Sequence, residues 1–406
     1  MLSYEDARAK VIEVTASLLR TPAREKVKLA NSLGRILAQE IVADRDYPPF
    51  DRAARDGFAV RAADCGAPGA KLRVIGEIAA GGDFRGTVGL DECVQIMTGA
   101  AAPRGADAVV MIEHTRAGPR ENEVTIERAA EAGMNIAPRG SESRPGDVLL
   151  RKKTRIGYAE IAISGQVGAR ELDVYRKPRI AVLSTGDEVV AVDARPGPFE
   201  IRNSNGVSLA AQVELAGAEA VLLGNARDRA DELRKMIELG LEEDALALSG
   251  GVSMGKYDLV EGVLRELGAE LFFDALAIRP GRPAVFGMCR GKPVFGLPGN
   301  PVSTMVTFEL LAVPAIDILG GGDARPLPLL KARLTKNVEQ RAALTHFLPA
   351  MLDWTNGETT VADLPWQGSG DIATLARGNC FLVVHQSKLK LAAGEWVDVL
   401  PRRGLL

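Results

Sequence analysis

Regular alternation of strand-like and helix-like segments over residues 178–319 constrains the fold more than any other feature of this chain. Short apolar runs that suit buried strands are separated by longer runs with helical spacing of apolar residues. The strand-like runs are 180–183, 218–223, 245–248, 284–286 and 293–297, and the helix-like runs are 206–216, 230–239, 259–267 and 302–319. Short buried strands that alternate with helices of this length predict a parallel, doubly wound α/β sheet.

The segments on either side of this region have a different texture, and 406 residues are too many for one ordinary core. Ser3 and Asp6 form a capping box before a first helix, and a second helix is predicted from Pro22 to about Ile41. Short alternating runs with Gly-rich turns predict strands after them and again beyond Pro326. The predicted multidomain division is a helical stalk at 1–46 plus 139–175, an inserted β-rich module at 47–138, a doubly wound domain at 176–325 and a small β domain at 326–406.

Composition argues against several classes of function. The 50 basic and 53 acidic side chains give a formal net charge of -3, which disfavours nucleic-acid partners and a polybasic membrane anchor. His114, His346 and His385 are far apart and the four cysteines form no Cys-x-x-Cys pair, so a zinc or thioredoxin-like centre is not expected. The N-terminus lacks an apolar signal core, and charges and a proline interrupt the apolar stretch 305–319. We therefore expect a cytoplasmic protein with no membrane span.

Three loops follow predicted strands and should lie at the edge of the sheet where open α/β folds bind ligands. They are Ser-Thr-Gly-Asp-Glu at 184–188, Ser-Gly-Gly-Val-Ser-Met-Gly at 249–255 and Pro-Gly-Asn-Pro-Val-Ser-Thr at 298–304. Glycine amides, hydroxyls and a helix N-terminus together favour a phosphate or another oxyanion. Any one loop has an equally good structural explanation, since Asn300 and Pro301 are good capping residues. Three such loops at one edge favour an anion site.

Charged residues beside these loops predict both an anion and a cation. The turn Arg279-Pro280-Gly281-Arg282-Pro283 brings two guanidiniums together, which suits an oxyanion, although a solvated basic turn is the alternative. Asp187, Glu188, Asp228 and Asp258 are carboxylates near a predicted phosphate, and Mg²⁺ is the cation that bridges such groups. The alternatives remain that Asp258 caps the following helix and that Asp228 is an exposed charge.

Motifs of the common nucleotide-binding enzymes and hydrolases do not occur. The chain has no G-x-x-x-x-G-K-[ST] loop, residues 250–255 do not match G-x-G-x-x-G, and no Ser/His pairing is found near a G-x-S-x-G elbow. The expected chemistry is therefore positioning and cation-assisted charge stabilisation on a ligand that carries an oxyanion.

An ordered set of motifs along nearly the whole chain resembles the molybdopterin molybdenumtransferase family, to which a domain of gephyrin is related. The motifs are Pro48-Pro49-Phe50-Asp51, Asp56-Gly57-Phe58-Ala59-Val60, Ile96-Met97-Thr98-Gly99-Ala100, Gly105 to Val110, Ser184 to Glu188, Asn203-Ser204-Asn205, Ser249 to Gly255, Leu297 to Ser303 and Gly368-Ser369-Gly370. The resemblance implies an enzyme of molybdenum cofactor biosynthesis that inserts molybdate into adenylated molybdopterin and releases AMP with the help of Mg²⁺.

The resemblance also implies an architecture and a set of site residues. The architecture is an L-shaped homodimer whose chains have a helical stalk, an inserted β module, a molybdopterin-binding central domain and a C-terminal β barrel, with molybdopterin adenylyltransferase and molybdoenzyme chaperones as further partners. The implied catalytic residues are Asp56, Glu188, Asp228 and Asp258, of which Glu188, Asp228 and Asp258 hold the metal and Asp56 acts across the dimer. The implied substrate-binding residues are Thr98, Glu142, Asp187, Ser249, Gly250, Gly251, Ser253, Arg279, Arg282, Pro298, Gly299, Asn300, Pro301, Ser303 and Ser369.

Several residues depart from the family pattern. Ala53-Ala54-Arg55-Asp56 stands where the family has Ser-Ala-Met-Asp, Glu142 replaces an aspartate, and Arg279, Arg282 and Ala275 replace lysines. Two other functions stay open: an adenylyltransferase that acts on molybdopterin, and a non-catalytic cofactor carrier or scaffold. The retained acids argue against a pure scaffold.

Overall fold

The computed structural model describes residues 1–18, 21–252, 259–354 and 357–405. The described chain divides into two compact units. The larger unit contains Met1–Gln39, Lys152–Ile161 and Glu171–Leu406, and the smaller contains Glu40–Arg151 and Ala162–Arg170.

A sheet of six strands, counted within the described residues, forms the centre of the larger unit. We label its strands in chain order as β1 (Arg179–Thr185), β2 (Glu219–Ala226), β3 (Ala245–Ser249), β4 (Glu270–Ala275), β5 (Pro283–Cys289) and β6 (Lys292–Leu297). Their spatial order is β2-β1-β3-β6-β5-β4. Strand β1 has a parallel neighbour on each side, so the order reverses between β1 and β3. This is the topological switch point at which doubly wound sheets bind ligands.

The sheet is parallel, as predicted, except at one edge. Strands β1, β2, β3 and β6 are parallel, but β5 is antiparallel to β6 and β4 is antiparallel to β5. The cause is local: Arg290 and Gly291, with φ of 50° and 73°, join β5 to β6 in a two-residue turn. Turns of that length with positive φ at both positions connect antiparallel strands.

Helices cover both faces of this sheet and bury two hydrophobic clusters. Phe286, Phe295 and Phe308 belong to one cluster, and Leu183 and Leu248 belong to the other. The helices are Ser204–Ala216, Ala230–Gly240, Leu259–Glu266 and a continuous run made of Pro301–Thr307, a π-helical turn at Phe308–Ala312, and Val313–Leu319. The α/β fold class predicted from the alternation is therefore confirmed.

The run Pro301–Leu319 is long and apolar enough to cross a membrane by length and composition alone, but 83% of its most apolar window is buried inside the protein. It is thus the core helix of this domain, packed against the N-terminal helix and the helix Ser204–Ala216.

The predicted N-terminal helix is confirmed as Tyr4–Ala16, and Ser3 caps it by accepting a hydrogen bond from the Asp6 amide. The predicted second helix is wrong. Arg24–Lys28 is a strand that pairs with Glu171–Tyr175, and a 3₁₀ turn at Leu29–Asn31 follows. The partner strand is about 150 residues away in the chain, so local helical spacing carried no information about this pairing.

The C-terminal β barrel implied by the resemblance is confirmed. Within the described residues, five strands pair in a closed ring. In ring order they are Leu330–Leu334, Thr360–Asp363, Thr345–Asp353, Cys380–Val384 and Trp396–Pro401. The short strand Ile278–Arg279 joins this barrel by pairing with Thr345–Asp353, which fixes the position of the two-arginine turn. A short helix, Ile372–Arg377, follows the loop 366–370.

The smaller unit is β-rich, as predicted for the inserted module. Its main sheet contains, in spatial order, Ala108–Met111, Gly57–Val60, Glu92–Ile96, Lys71–Ile78, Glu123–Ile126 and Thr115–Ala117. Two further strand pairs join Arg52–Ala53 to Ile136–Ala137 and Ile41–Val42 to Val148–Leu150. A helix, Tyr158–Gln166, contains the boundary in the chain between residues assigned to the larger unit and residues assigned to the smaller.

Candidate active site

A cavity of about 720 Å³ lies at the switch point, beyond the carboxyl ends of β1 and β3. We call it the acidic cavity because Glu188 and Asp228 line it. Its other lining residues from the predicted set are Ser249, Gly250, Gly251, Pro298, Gly299, Asn300 and Pro301. Parallel strands direct their carboxyl ends to one edge, so the three sequence-predicted loops meet here.

The glycines of the second loop allow its backbone to pack closely against β1. Gly250 has φ of 97°, and a Cβ atom there would lie 2.7 Å from the carbonyl oxygen of Thr185. Gly251 has φ of 66°, and its Cβ would lie 2.6 Å from Val260 Cγ2. Larger residues would require strain and displacement of Thr185 at the end of β1 or of Val260 in the helix Leu259–Glu266. The loop therefore presents bare backbone to the cavity, as anion-binding loops do.

Asn205, at the N-terminus of the helix Ser204–Ala216, connects the second and third loops. Its Nδ2 donates to Ser249 Oγ and to the Gly299 carbonyl, both at 2.7 Å. Its Oδ1 and the Thr185 Oγ1 atom are buried and have no hydrogen-bond partner among the described residues. Buried polar atoms are costly to leave unpaired, so these two atoms favour a polar ligand or water in the cavity.

The acids of the first loop approach Asp228, which follows β2. Asp187 Oδ1 accepts a hydrogen bond from the Asp228 amide at 3.2 Å. Partial burial of the Asp228 carboxyl, together with the negative charges of Asp187 and Glu188, raises its pKa above the ordinary value. The carboxylates therefore repel one another, and a bound cation would relieve that repulsion.

The carboxylates of the acidic cavity fit a magnesium ion that is also coordinated by a bound substrate. Mg²⁺ uses one or two carboxylates together with substrate phosphates and water, and Glu188 and Asp228 supply that number. Within the described ranges, no group of three or more His, Cys, Asp or Glu side chains could form a complete metal cage. The third predicted ligand, Asp258, lies outside the described residues, as does Ser253.

Replacing Asp228 with asparagine is expected to stabilise the folded chain at pH 7 without added divalent cations. A carboxyl whose pKa is raised by folding costs stability once it ionises, and that cost grows as the pH rises from about 3.9 through the raised value. The gain in melting temperature should therefore vanish below about pH 3, and any increase on addition of Mg²⁺ should be smaller in the variant than in the parent protein. Thermal melts across pH test this, with Asp193→Asn in an exposed loop as the control; a lower melting temperature at pH 7 would contradict it.

A second cavity of about 940 Å³ lies beside the two-arginine turn. We call it the arginine cavity because Arg279 and Arg282 line it. Pro298, Asn300, Ser303 and Ser369 from the predicted set also line it. Both arginine side chains are exposed to it, and Gly281 packs its backbone against Thr307, where a Cβ would lie 2.6 Å from Cγ2. Two guanidiniums on a rigid turn provide bidentate donors for an oxyanion.

The acidic and arginine cavities are neighbours. They share Pro283, Pro298, Asn300 and Gly370 as lining residues. The Ser369 carbonyl accepts a hydrogen bond from the Val302 amide at 3.0 Å, which attaches the loop 366–370 to the start of the core helix. A ligand with separate anionic groups can therefore contact the carboxylates and the arginines at once.

The remaining predicted residues belong to the smaller unit. Asp56 Oδ1 accepts hydrogen bonds from the amide and the hydroxyl of Thr98, at 2.5 and 2.7 Å. These bonds hold the pKa of Asp56 below its usual value, so its carboxylate is ionised and oriented at neutral pH. Glu142 is instead paired with Arg52 at 2.8 Å.

Several residues that line the cavities were absent from the predicted set. They are Thr185, Asn203, Asn205, Trp366, Gln367 and Asp371. Thr185 and Asn205 could have been found from the sequence, since Thr185 ends a buried strand and Asn205 lies in the first turn of a helix. No sequence pattern marked Trp366 and Gln367, because they line the arginine cavity as a result of how the C-terminal barrel packs on the central domain.

Together, the doubly wound domain, the barrel and the paired cavities define a multidomain α/β protein whose site suits an oxyanion-bearing ligand. Three family models match the chain in order: "MoeA N-terminal region (domain I and II)" over residues 2–168, "Probable molybdopterin binding domain" over 181–317 and "MoeA C-terminal region (domain IV)" over 331–401. The chain belongs to the molybdopterin molybdenumtransferase family.

Curated relatives and solved structures agree with this assignment. Molybdopterin molybdenumtransferase from Staphylococcus aureus is 35% identical over 379 residues, covering 92% of this chain and 90% of the relative. A molybdopterin biosynthesis MoeA protein from Pyrococcus horikoshii superposes with a TM-score of 0.78 at 27% identity, covering 99% of this chain and 100% of that one. Another structure of such a protein from the same organism gives a TM-score of 0.72 at 34% identity, covering 97% and 98%.

Proposed function

We propose that this chain inserts molybdate into adenylated molybdopterin and releases AMP in a Mg²⁺-dependent reaction. The observation that carries the proposal is the pair of neighbouring cavities, one lined by arginines and one by carboxylates. Molybdate is a tetrahedral oxyanion that suits the guanidiniums of Arg279 and Arg282. The pyrophosphate of the second substrate suits the loop backbones and the acids that attract its cation.

The reaction balances without an external oxidant or reductant. Two Mo–S bonds form between molybdate and the dithiolene, and one molybdate oxygen leaves with the two thiol protons as water. One water is consumed when the phosphoanhydride bond is cleaved, giving AMP and the phosphate of the product. Molybdenum keeps its oxidation state, so the residues around it need only bind, orient and neutralise charge.

Each group of residues then has a distinct task. Molybdate and its neighbouring anion are held by Arg279, Arg282, Ser303 and Ser369. The phosphates accept backbone and hydroxyl hydrogen bonds from two loops, Ser249 to Gly251 and Pro298 to Pro301. Glu188 and Asp228 would hold Mg²⁺, which would offset phosphate charge when bound, and Asp187 holds the Asp228 backbone by accepting a hydrogen bond from its amide. Asp258 and Ser253 complete the proposed metal and substrate sets.

The proposal includes a homodimer. In it, Asp56 acts on the site of the partner subunit, with Thr98 and Glu142 nearby. The hydrogen bonds from Thr98 support that role for Asp56, because they fix an ionised carboxylate on an exposed part of the smaller unit. The proposed setting is the cytoplasm, with molybdopterin adenylyltransferase and molybdoenzyme chaperones as further partners.

The adenylyltransferase and scaffold alternatives predict different products. Purified protein mixed with adenylated molybdopterin, molybdate and Mg²⁺ should release AMP and form active cofactor, and chelation of Mg²⁺ should stop both. An adenylyltransferase would form adenylated molybdopterin from ATP and molybdopterin, and a scaffold would release nothing. Absence of AMP with both molybdate and tungstate would end the transferase proposal.

A further inference from the structure

A third cavity, of about 350 Å³, lies on the far side of the arginine cavity. We call it the aromatic cavity because Trp366 lines it. It shares Arg279, Trp366, Gln367 and Gly368 with the arginine cavity, and none of its described lining residues also lines the acidic cavity. The cavities therefore follow one another in the order aromatic, arginine, acidic.

Trp366 is held in a fixed position at the first junction. Its side chain is half-buried and packs against the hydrophobic cores of both the central domain and the barrel. The loop after it is anchored at both ends, because the Gln367 amide donates to Asp371 Oδ2 at 3.1 Å and the Ser369 carbonyl accepts from Val302. A rigid indole beside an exposed arginine is a suitable platform for a planar heterocycle that carries anionic groups.

The polar lining of the aromatic cavity suits a ring with adjacent N–H donors. Glu339 and Gln340 supply acceptor oxygens, and the exposed ion pair of Glu339 with Lys390 leaves carboxylate lone pairs available. His346, which is 1% exposed, is the strand partner of Arg279, and burial together with that arginine's charge lowers the pKa of the imidazole. A pterin has adjacent ring N–H and amino donors that match a carboxylate in bidentate fashion, whereas adenine has only its amino group on that edge.

We propose that the substrate lies along the three cavities in one direction, with its pterin stacked on Trp366 and its adenosine beyond the acidic cavity. This inference rests on the proposed function. The dithiolene and molybdate then occupy the arginine cavity, and the pyrophosphate occupies the acidic cavity. The linear order of groups in adenylated molybdopterin thus matches the linear order of the cavities.

The reverse direction is disfavoured by charge. It would bring molybdate, a dianion, against the Glu188 and Asp228 side chains that line the acidic cavity. Phosphates tolerate carboxylates when a magnesium ion bridges them, whereas molybdate has the two guanidiniums as its better partners.

Binding measurements without turnover test the direction. The probes are 6-hydroxymethylpterin monophosphate and AMP with Mg²⁺, titrated separately into the full-length protein by calorimetry. Trp366→Ala should weaken pterin-phosphate binding about tenfold or more, as the loss of an aromatic stacking partner does, and leave AMP binding within twofold. Trp366→Phe should restore most of the affinity, and Trp396→Ala, at an exposed position on the barrel, should change neither.

Asp228→Asn should show the opposite pattern, with AMP–Mg²⁺ binding weakened and pterin-phosphate binding unchanged. If Trp366→Ala fails to fold, Glu339→Gln takes its place and should weaken only the pterin probe. The proposed direction would be overturned if the Trp366 or Glu339 variants lost AMP binding, lost affinity for both probes equally, or bound both probes as the parent protein does. It would also be overturned if the parent protein did not bind the pterin phosphate. Because no turnover is measured, failure of the direction is distinct from failure of AMP release in the activity assay.

Discussion

Replacing Arg279 with alanine is expected to weaken molybdate binding by roughly 10- to 100-fold. The guanidinium is exposed to the arginine cavity on a rigid turn, and a hydrogen bond to a charged group contributes about 1.5–3 kcal/mol. Molybdate-dependent AMP release should fall by at least as much at limiting molybdate, because the same contact holds the anion during reaction. Equilibrium binding of molybdate and initial rates of AMP release measure the two effects.

Two control variants separate recognition from net charge. Arg279→Lys keeps the charge and places at this position the lysine typical of the family, so it should retain most of the molybdate affinity despite losing the bidentate fork. Arg234→Ala removes an exposed arginine paired with Glu266 and should leave binding unchanged. Unaltered molybdate affinity in Arg279→Ala would instead identify the turn as a solvated basic segment.

Loss of the Asp317 carboxylate is expected to destabilise the protein by about 3–5 kcal/mol. Its side chain is fully buried, with Arg155 Nη2 at 2.9 Å and Arg325 Nη2 at 2.7 Å. The Arg325 backbone amide also donates to it, at 3.1 Å. Asp317→Ala therefore leaves two guanidiniums and an amide in a low-dielectric site without their acceptor, which costs more than the loss of one contact.

The free energy of unfolding from urea titrations measures this effect. Asp323→Ala is the matched control, because Asp323 pairs with Lys153 at 3.2 Å while 85% of its side chain is exposed. Exposed pairs contribute about 0–1 kcal/mol, so the control should unfold almost like the parent protein. Similar urea midpoints for Asp317→Ala and Asp323→Ala would show that the buried network contributes no more than a surface pair.

Much of the central domain could be predicted because its strands and helices are indicated by short-range sequence patterns. Each strand from β1 to β3 is a short apolar run that ends at a polar loop, and each following helix shows its own spacing. Strand β4 was missed and the antiparallel edge was misjudged, since pairing direction depends on the turn at Arg290 and Gly291. The strand Arg24–Lys28 was mistaken for helix because its partner is distant in the chain.

The site divides in the same way. Glu188, Asp228, Ser249 and Pro298 could be expected together, because the ends of parallel strands meet at one edge. Trp366 could not, since contacts between distant segments bring the barrel loop against the arginine turn: the pairing of Ile278–Arg279 with a barrel strand and the hydrogen bond from the Val302 amide to the Ser369 carbonyl.

The sequence by itself determined the family, the α/β class and the loops that end on the switch point, since these depend on residue type and short-range spacing. The tertiary structure alone decided the strand directions at the sheet edge, the buried pairing of Asp317 and the order of the three cavities. Those features depend on contacts between segments that are far apart in the chain, and their energies are set by burial and distance rather than by local composition.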